Sequence, residues 1–299
     1  MKRRVSVLCS VFLVLIVSAC ASPQPSENGG QPGSPSQSAY IENKGSDTLV
    51  NLALAWAERY QTVQPDVQIS VTGGGSGTGF AALMNGTISI ANASRGIKDE
   101  EIQTAREEGF EPIEFIVAND AIAVIVNPEN PVSELTLELV SRIYKGEVTN
   151  WQELGGDDRP IVKLSRETNS GTHVYFLETV VRLGSKEDKT IFSADTLLLP
   201  SSEGIIAEVR DNPNAVGYDG LGYVTEEVKM VALAEEVGGE YIIPSAQTVI
   251  NGKYPISRHL FMYTRGQPEG AEKEYLEWIL SQEAQEIVTE LGFVPVLSE

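Results

Sequence analysis

Three short stretches of the 299-residue chain combine serine, threonine and glycine just before a segment with helical spacing. Hydroxyl groups and the free backbone N–H groups at the start of a helix donate hydrogen bonds, so together they can bind an oxyanion. Taken singly, each stretch is better explained as an ordinary helix cap, because serine and threonine are favoured there. The stretches are Gly45-Ser46-Asp47-Thr48, Gly75-Ser76-Gly77-Thr78 and Asn169-Ser170-Gly171-Thr172.

The middle stretch lies within a glycine-rich run from Gly73 to Gly79. Glycines have no side chain, so the backbone amides of such a run can approach a ligand closely. The run departs from two nucleotide-binding patterns and one hydrolase pattern. Phe80 stands where a Walker A loop needs lysine, and Thr78 stands where the G-x-G-x-x-G and G-x-S-x-G patterns need their last glycine. The run therefore favours an anion cradle over nucleotide binding or serine hydrolysis.

Two arginines stand close to these stretches. Arg95 follows Ser94, and Arg166 lies four residues before Ser170. The planar guanidinium group donates several hydrogen bonds and is suited to tetrahedral oxyanions. Three helix N-termini would each add about half a positive charge. A surface ion pair is the alternative for either arginine, and in an acidic chain it weighs more for Arg95.

The elements that must position these residues follow an α/β pattern from Tyr40 onwards. Strand-like runs cover residues 67–71, 113–118, 121–127 and 161–164, and apolar residues keep helical spacing over 49–60 and 275–291. Each Ser/Thr stretch lies between a strand-like run and a helical segment. Short strands that alternate with helices predict an α/β fold.

Composition excludes several classes of function. The chain has 22 Lys+Arg against 42 Asp+Glu, a net charge of −20, which argues against general nucleic-acid binding. Two cysteines and two histidines nearly exclude a Cys/His zinc site. A cation site made only of carboxylates remains open, and nothing in the sequence predicts a cofactor.

The first residues predict export. Three basic residues precede an apolar run from Val5 to Ala19, and residues 1–19 are typical of a signal peptide. The end of the run, Val17-Ser18-Ala19-Cys20, resembles the lipobox of bacterial lipoproteins, which implies cleavage before Cys20 and lipidation of its thiol. The Pro-, Gly- and Ser-rich segment that follows predicts a tether over residues 20–39.

Several motifs in order resemble the phosphate-binding receptors of bacterial ABC phosphate importers, which have the type II periplasmic-binding-protein fold. The resemblance covers residues 40–299. It implies two α/β lobes, residues 40–118 with 255–299 and residues 119–254, joined by crossovers near 119–127 and 254–264. The motifs are GSDTL at 45–49, TGGGSGTG at 72–79, IANASR at 90–95, LSRETNSGT at 164–172, NAVGYDGLGYV at 214–224 and YPISRHLFMYT at 254–264.

The resemblance also implies which residues bind phosphate in the cleft between the lobes. Well-known family members have an aspartate where this chain has Arg95, so the acceptor that distinguishes phosphate from sulfate is expected elsewhere, with Asp47, Asp219 and Asn92 as candidates. Sulfate or another tetrahedral oxyanion stays an alternative ligand. The implied phosphate-binding residues are Ser46, Thr48, Leu49 (through its backbone N–H), Ser76, Gly77, Thr78, Arg95, Arg166, Ser170, Gly171 and Thr172.

We therefore expect a monomeric receptor, anchored through Cys20 on the outer face of the cell membrane or in the periplasm, that captures phosphate without chemistry. Closure of the lobes would present the loaded receptor to a membrane permease. Two alternatives come from other classes of protein. An exported phosphate-ester hydrolase would use His173 as a base, and an adhesion or structural lipoprotein would have a cleft without function.

Overall fold

The computed structural model describes residues 39–296, so the predicted signal peptide, Cys20 and nearly all of the tether lie outside the described residues. Ala39, at the end of the predicted tether, is the first residue of a strand. Within residues 39–296 we find no helix with the length and apolar character needed to cross a membrane.

Most strands belong to one mixed sheet, whose order is β2-β1-β3-β11-β4-β8-β6-β7, with β9 also paired to β4. β5 and β10 form a separate parallel pair. The strands are β1 (Ala39–Gly45), β2 (Val67–Thr72), β3 (Ile90–Ala93), β4 (Pro112–Val126), β5 (Glu134–Thr136), β6 (Val162–Arg166), β7 (Leu197–Leu199), β8 (Ala215–Gly220), β9 (Lys229–Met230), β10 (Ala232–Ala234) and β11 (Ser257–Arg265).

The 15-residue strand β4 joins two parts of the sheet. Its first part pairs antiparallel with β11, from Pro112 opposite Arg265 to Ala121 opposite Ser257. Its second part pairs antiparallel with β8, from Ile122 opposite Gly220 to Val126 opposite Val216. We call β2, β1, β3 and β11 the first sheet half, and β8, β6 and β7 the second sheet half.

The two strand-like runs predicted over 113–118 and 121–127 are thus one continuous strand. Residues 118–126 of β4 are buried except for the half-buried Asn119, as expected for a strand covered on both faces. The lobe boundaries implied by the resemblance fall within this strand and stay a prediction.

Helices flank the sheet and connect its strands. The segment predicted over 275–291 is two helices separated at Leu280 and Ser281, and the helix expected to reach Val181 continues beyond Phe176 as a π-helix, Leu177–Val181. The α-helices are α1 (Val50–Val63), α2 (Ser76–Met84), α3 (Asp99–Glu107), α4 (Leu137–Lys145), α5 (Gly171–Phe176), α6 (Ser202–Asp211), α7 (Ala246–Ile250), α8 (Gly270–Ile279) and α9 (Gln282–Glu290).

Large buried side chains fix the elements that carry polar residues. On α1, Trp56 is fully buried and donates from its ring N–H to the carbonyl of Ala284 on α9, at 2.8 Å. In the second sheet half, the rings of Phe176 and Tyr218 stack with centroids 3.6 Å apart. Burying a large apolar side chain contributes about 1.5–3 kcal/mol. These contacts hold the start of α1, the end of β8 and helix α5 in fixed positions.

Candidate anion-binding site

Two sets of strand ends meet at this site. In the first sheet half, β1 is parallel to both β2 and β3, so the carboxyl ends of these three strands lie side by side. The strands are followed by Ser46, the glycine-rich run and Ser94. In the second half, β6 is parallel to β7 and β8, which places the loops after Arg166, Leu199 and Gly220 together. Ligand sites of α/β sheets lie at such carboxyl edges.

Serine hydroxyls from three loops of the first half meet each other. Ser46 Oγ donates to Ser94 Oγ at 2.8 Å, and Ser76 Oγ lies 3.3 Å from the same oxygen. The backbone N–H of Ser94 donates to Ser76 Oγ at 3.0 Å. All three serines are buried. Three stretches that are separate in the sequence therefore form one group of polar oxygens.

The second half adds a hydroxyl and the start of α5. Thr172 Oγ1 lies 2.9 Å from Thr48 Oγ1, although the two residues are 124 positions apart. Gly171 packs so closely that a Cβ added there would overlap the hydroxyl oxygens of Ser76 and Ser94. We call Ser46, Thr48, Ser76, Ser94 and Thr172 the hydroxyl cluster.

The helix-cap interpretation holds for one of the three stretches. Ser170 Oγ accepts from the backbone N–H groups of Thr172 and His173, at 3.2 and 3.5 Å, and so caps α5. Ser46 makes no side-chain cap bond, and Ser76 is the first residue of α2 rather than its cap. The hydroxyls of Ser46 and Ser76 point instead into the hydroxyl cluster.

Arg166 links the two sheet halves next to this cluster. Its side chain is 1% exposed. Nη2 donates to Asp47 Oδ2 and to the carbonyl of Pro200, each at 2.8 Å, and Nη1 donates to Ser202 Oγ at 2.9 Å. Because Asp47 follows β1 whereas Arg166 ends β6, this ion pair joins the halves.

Asp219 is a fully buried carboxylate beside Arg166. Its Oδ1 accepts from Ser202 Oγ at 2.9 Å and from the backbone N–H of Gly220 at 2.7 Å. Its Oδ2 is 3.8 Å from Arg166 Nη1 and has no hydrogen-bond partner among the described residues. Burial raises the pKa of Asp219 to about 6, although the positive charge of Arg166 opposes this shift.

Arg95 does not join the hydroxyl cluster, contrary to the expectation from its neighbours in the sequence. Its guanidinium group forms two hydrogen bonds to Glu101 of α3, at 2.7 and 2.8 Å, and lies 4.7 Å from the centre of the Phe80 ring. Glu101 lies in the first turn of α3, and the paired carboxylate turns Arg95 away. Arg95 therefore forms an ion pair, as in the alternative, but the pair is largely buried and not at the surface.

Three other predicted residues use their polar groups elsewhere. The backbone N–H of Leu49 donates to the carbonyl of Ser46 at 3.1 Å, and its side chain is in the core. The backbone N–H of Gly77 donates across the halves to the carbonyl of Asn169 at 3.0 Å. The hydroxyl of Thr78 donates to the carbonyl of Gly74 at 2.5 Å. Direct phosphate contact by the predicted residues stays a prediction.

Sequence reasoning missed Ser94 and Asn169 as contributing side chains, and it gave Asp120, Ser202 and Arg258 no role. The side-chain amide of Asn169 donates to the carbonyl of Gly74 at 2.8 Å and joins the glycine-rich run to the second half. For Arg258 a signal existed, because YPISRHLFMYT places an arginine between Ile256 and the apolar run from Leu260 to Tyr263. A buried charge in a strand indicates a partner or a ligand.

Little in this region favours catalysis or a metal. Among residues 39–296, no group of three or more His, Cys, Asp or Glu side chains is arranged to hold a metal ion. His173 Nδ1 lies 3.0 Å from Ser165 Oγ, and that hydroxyl is also 2.6 Å from the Tyr218 hydroxyl. Burial lowers the pKa of His173. His173 thus belongs to a buried polar group with Ser165 and Tyr218.

Comparisons with known proteins show the family of this chain. Residues 30–283 match the family model described as a PBP superfamily domain. The phosphate-binding protein PstS of Pseudomonas aeruginosa (strain PAO1) is 34% identical over 276 residues, which cover 87% of this chain and 84% of the relative. PstS of Bacillus subtilis (strain 168) is 30% identical over 301 residues and covers 98% and 94%.

Solved structures give the same result. A phosphate ABC transporter substrate-binding protein from Clostridium perfringens, with bound phosphate, superposes with a TM-score of 0.77 at 32% identity and covers 86% of this chain and 100% of its own. An ABC-type phosphate transport receptor from Vibrio cholerae has a TM-score of 0.68 at 28% identity, with coverage of 86% and 100%. The predicted α/β type II fold is confirmed.

Proposed function

This chain belongs to the PBP superfamily, as a phosphate-binding substrate-binding protein, and from that membership we propose that it delivers inorganic phosphate to an ABC permease. Its relatives are named as phosphate-binding proteins and transport receptors rather than as enzymes. Phosphate is favoured over another oxyanion or an ester hydrolase, because relatives are named phosphate-binding proteins and one similar structure contains bound phosphate.

The observation that carries the proposal is the meeting of donors from both sheet halves. The hydroxyl cluster joins Thr48 of the first half to Thr172 of the second at 2.9 Å, and Arg166 pairs with Asp47, the residue between Ser46 and Thr48. Hydroxyls, backbone N–H groups and guanidinium groups are the donors that a tetrahedral oxyanion requires. A ligand held by both halves favours their approach through its differential contacts, as in hinge closure of binding proteins.

Calorimetric titration of the protein with phosphate, sulfate and arsenate tests the proposal. We expect one phosphate per chain and weaker binding of sulfate. Ser76→Ala removes a hydroxyl from the cluster and should weaken phosphate binding by roughly 1–3 kcal/mol. Ser185→Ala is the matched control, because Ser185 is exposed and its hydroxyl accepts a local hydrogen bond from the backbone N–H of Asp188, so it should leave binding unchanged. Equal effects of both variants would contradict the site.

The finer parts of the proposal need their own tests. We infer a receptor without catalytic activity, so incubation with a chromogenic phosphate ester should give no turnover above buffer, and sustained turnover would contradict it. We also infer a monomer outside the cytoplasm, attached through lipidated Cys20 to the membrane. Labelling cells with a fatty-acid analogue should mark the wild type and leave Cys20→Ser unmarked.

A further inference from the structure

We propose that Arg258, held in place by Asp120, is a second guanidinium group that contacts the bound oxyanion, in addition to Arg166. This inference rests on the proposed function and names a residue that determines its binding strength. Arg258 lies on β11, where it pairs in register with Asp120 of β4. Both side chains are buried, with 2% and 0% of their surface exposed.

Hydrogen bonds to Asp120 and to the backbone fix the guanidinium group of Arg258. Nε and Nη2 donate to Asp120 Oδ2 at 3.2 and 2.9 Å, and Nη1 donates to the backbone carbonyl of Ser94 at 2.9 Å. Asp120 is itself fixed, because its Oδ1 accepts from the backbone N–H of Leu221 at 3.1 Å. The orientation of the group is therefore set by two strands and one loop.

One of these nitrogens, Nη2, also faces the hydroxyl cluster. Arg258 Nη2 lies 3.0 Å from Thr172 Oγ1 and 3.3 Å from Thr48 Oγ1. These two hydroxyls come from different sheet halves and lie 2.9 Å from each other. An oxyanion that accepts hydrogen bonds from both threonines thus lies next to a guanidinium nitrogen.

Charge balance gives a second argument for this position. Arg166 faces two carboxylates, Asp47 and Asp219, at 2.8 and 3.8 Å. Arg95 is paired with Glu101 outside the cluster. A dianion beside Arg166 alone would meet more negative than positive charge, and buried charges need compensation. Arg258 faces one carboxylate instead of two and touches the cluster directly, so it is the guanidinium group whose charge is less offset by neighbouring carboxylates.

A purely structural role for Arg258 makes a different prediction, and a double variant separates the two. We would titrate phosphate into the wild type, Arg258→Gln, Asp120→Asn and the combined Arg258→Gln/Asp120→Asn protein. If Arg258 contacts the anion, both proteins with Arg258→Gln should lose at least about tenfold in affinity. If Arg258 only neutralises Asp120, the combined variant should return to wild-type affinity, because neither charge remains.

Arg258→Lys and an exposed control complete the experiment. Lysine keeps the charge and can pair with Asp120, but it cannot donate to the carboxylate and the hydroxyls through a fixed fork, so we expect a severalfold loss. Arg106→Gln removes an exposed arginine that is paired with Glu111, and it should leave affinity unchanged. Thermal unfolding of each variant shows which proteins are folded, and if Arg258→Gln is unfolded, the lysine and combined variants decide.

The possible results distinguish this inference from the proposed function. No phosphate binding by the wild type would remove the proposed function itself. Wild-type binding together with full affinity of Arg258→Lys, or with rescue in the combined variant, would overturn only the role of Arg258. Loss of affinity in both Arg258→Lys and the combined variant, each as folded protein, would support direct contact.

Discussion

Arginine 166 and arginine 95 have similar surroundings in the sequence and different positions in the structure. Each follows a serine at the end of a strand, at positions 165 and 94. Arg166 meets Asp47 from the other sheet half, whereas Arg95 meets Glu101, six residues further on. Spacing predicts which loop carries a side chain, but it does not predict which nearby carboxylate turns that side chain. Motifs therefore predicted the loops that carry the two arginines, but neither the Asp47 partner of Arg166 nor the Glu101 partner of Arg95.

Gly171 is the residue at which close packing of the halves is most easily tested. Its missing Cβ leaves room for the hydroxyls of Ser76 and Ser94, so Gly171→Ala should push the start of α5 away from the first half. Overpacking of this kind costs about 1–3 kcal/mol. We expect phosphate affinity, measured by calorimetry, to fall by about tenfold or more.

Gly96→Ala is the matched control for that experiment. Gly96 is exposed, and nothing lies within 4 Å of the position that its Cβ would take. Affinity should stay at the wild-type value. Unchanged binding in Gly171→Ala would mean that α5 and the serine hydroxyls do not approach each other in the bound state.

Asp219 should make stability depend on pH. Its pKa is raised from 3.8 to about 6 by burial, so the folded state binds the proton more tightly than the unfolded state does. This stabilising contribution is complete below about pH 4 and is lost as the pH rises through about 6. Relative to Asp219→Asn, which does not titrate, the wild type should lose on the order of 1–3 kcal/mol of unfolding free energy over this range.

Urea unfolding of both proteins at several pH values measures this difference. The comparison isolates Asp219, because the other titrating groups are common to the two proteins. Parallel stability profiles between pH 4 and 7 would contradict the raised pKa.

At the level of elements, alternation of strands and helices was predictable, but the continuity of elements was not. The residues between the two predicted runs of β4, Asn119 and Asp120, are polar, so the sequence indicates a break. In the structure Asp120 pairs with Arg258 and Asn119 forms a bridge with Val294, which allows the strand to continue. A pattern of hydrophobicity cannot reveal that a distant strand will supply a partner for a polar residue.

The loop before α5 and the glycine-rich run form a contact between elements that can be tested separately from the cluster. Asn169→Ala removes the side-chain hydrogen bond to the carbonyl of Gly74. A single hydrogen bond of this kind contributes about 0.5–1.5 kcal/mol. We expect a loss of phosphate affinity of up to about tenfold, with faster dissociation measured by stopped-flow fluorescence.

Asn251→Ala serves as the control for Asn169→Ala. Asn251 is an exposed residue directly after α7, and its amide oxygen accepts a hydrogen bond from the side chain of Gln247 in that helix. Its removal should change neither affinity nor dissociation rate. If Asn169→Ala behaves like this control, the contact with the glycine-rich run does not contribute to holding the ligand.

At the level of the whole molecule, the site depends on contacts that are remote in sequence. Thr48 and Thr172 are 124 residues apart, and Arg258 is 210 residues from Thr48. Local spacing contains no information on such pairs, so the motifs predicted loops that could bind an anion, and only the resemblance to a known family implied that the loops meet. The fold class followed from periodicity, and the precise partners followed from the order of strands in the sheet.

Ligand binding at a place where both sheet halves meet should stabilise the entire described chain. A ligand that binds only the folded state adds about 2.7 kcal/mol of stability at a concentration one hundred times its dissociation constant. We expect phosphate to raise the melting temperature in differential scanning fluorimetry. Sulfate at the same concentration should give a smaller rise. An equal shift with chloride would indicate a general salt effect.

The pairing of Arg166 with Asp47 bears on how the protein lets go of its cargo. Asp47 already neutralises the guanidinium group, so an anion bound there, as we propose, meets a paired instead of a bare cation. We expect this pairing to make binding weaker, and release easier, than an unpaired arginine would. A carrier that must surrender its load at every cycle gains from that reversibility.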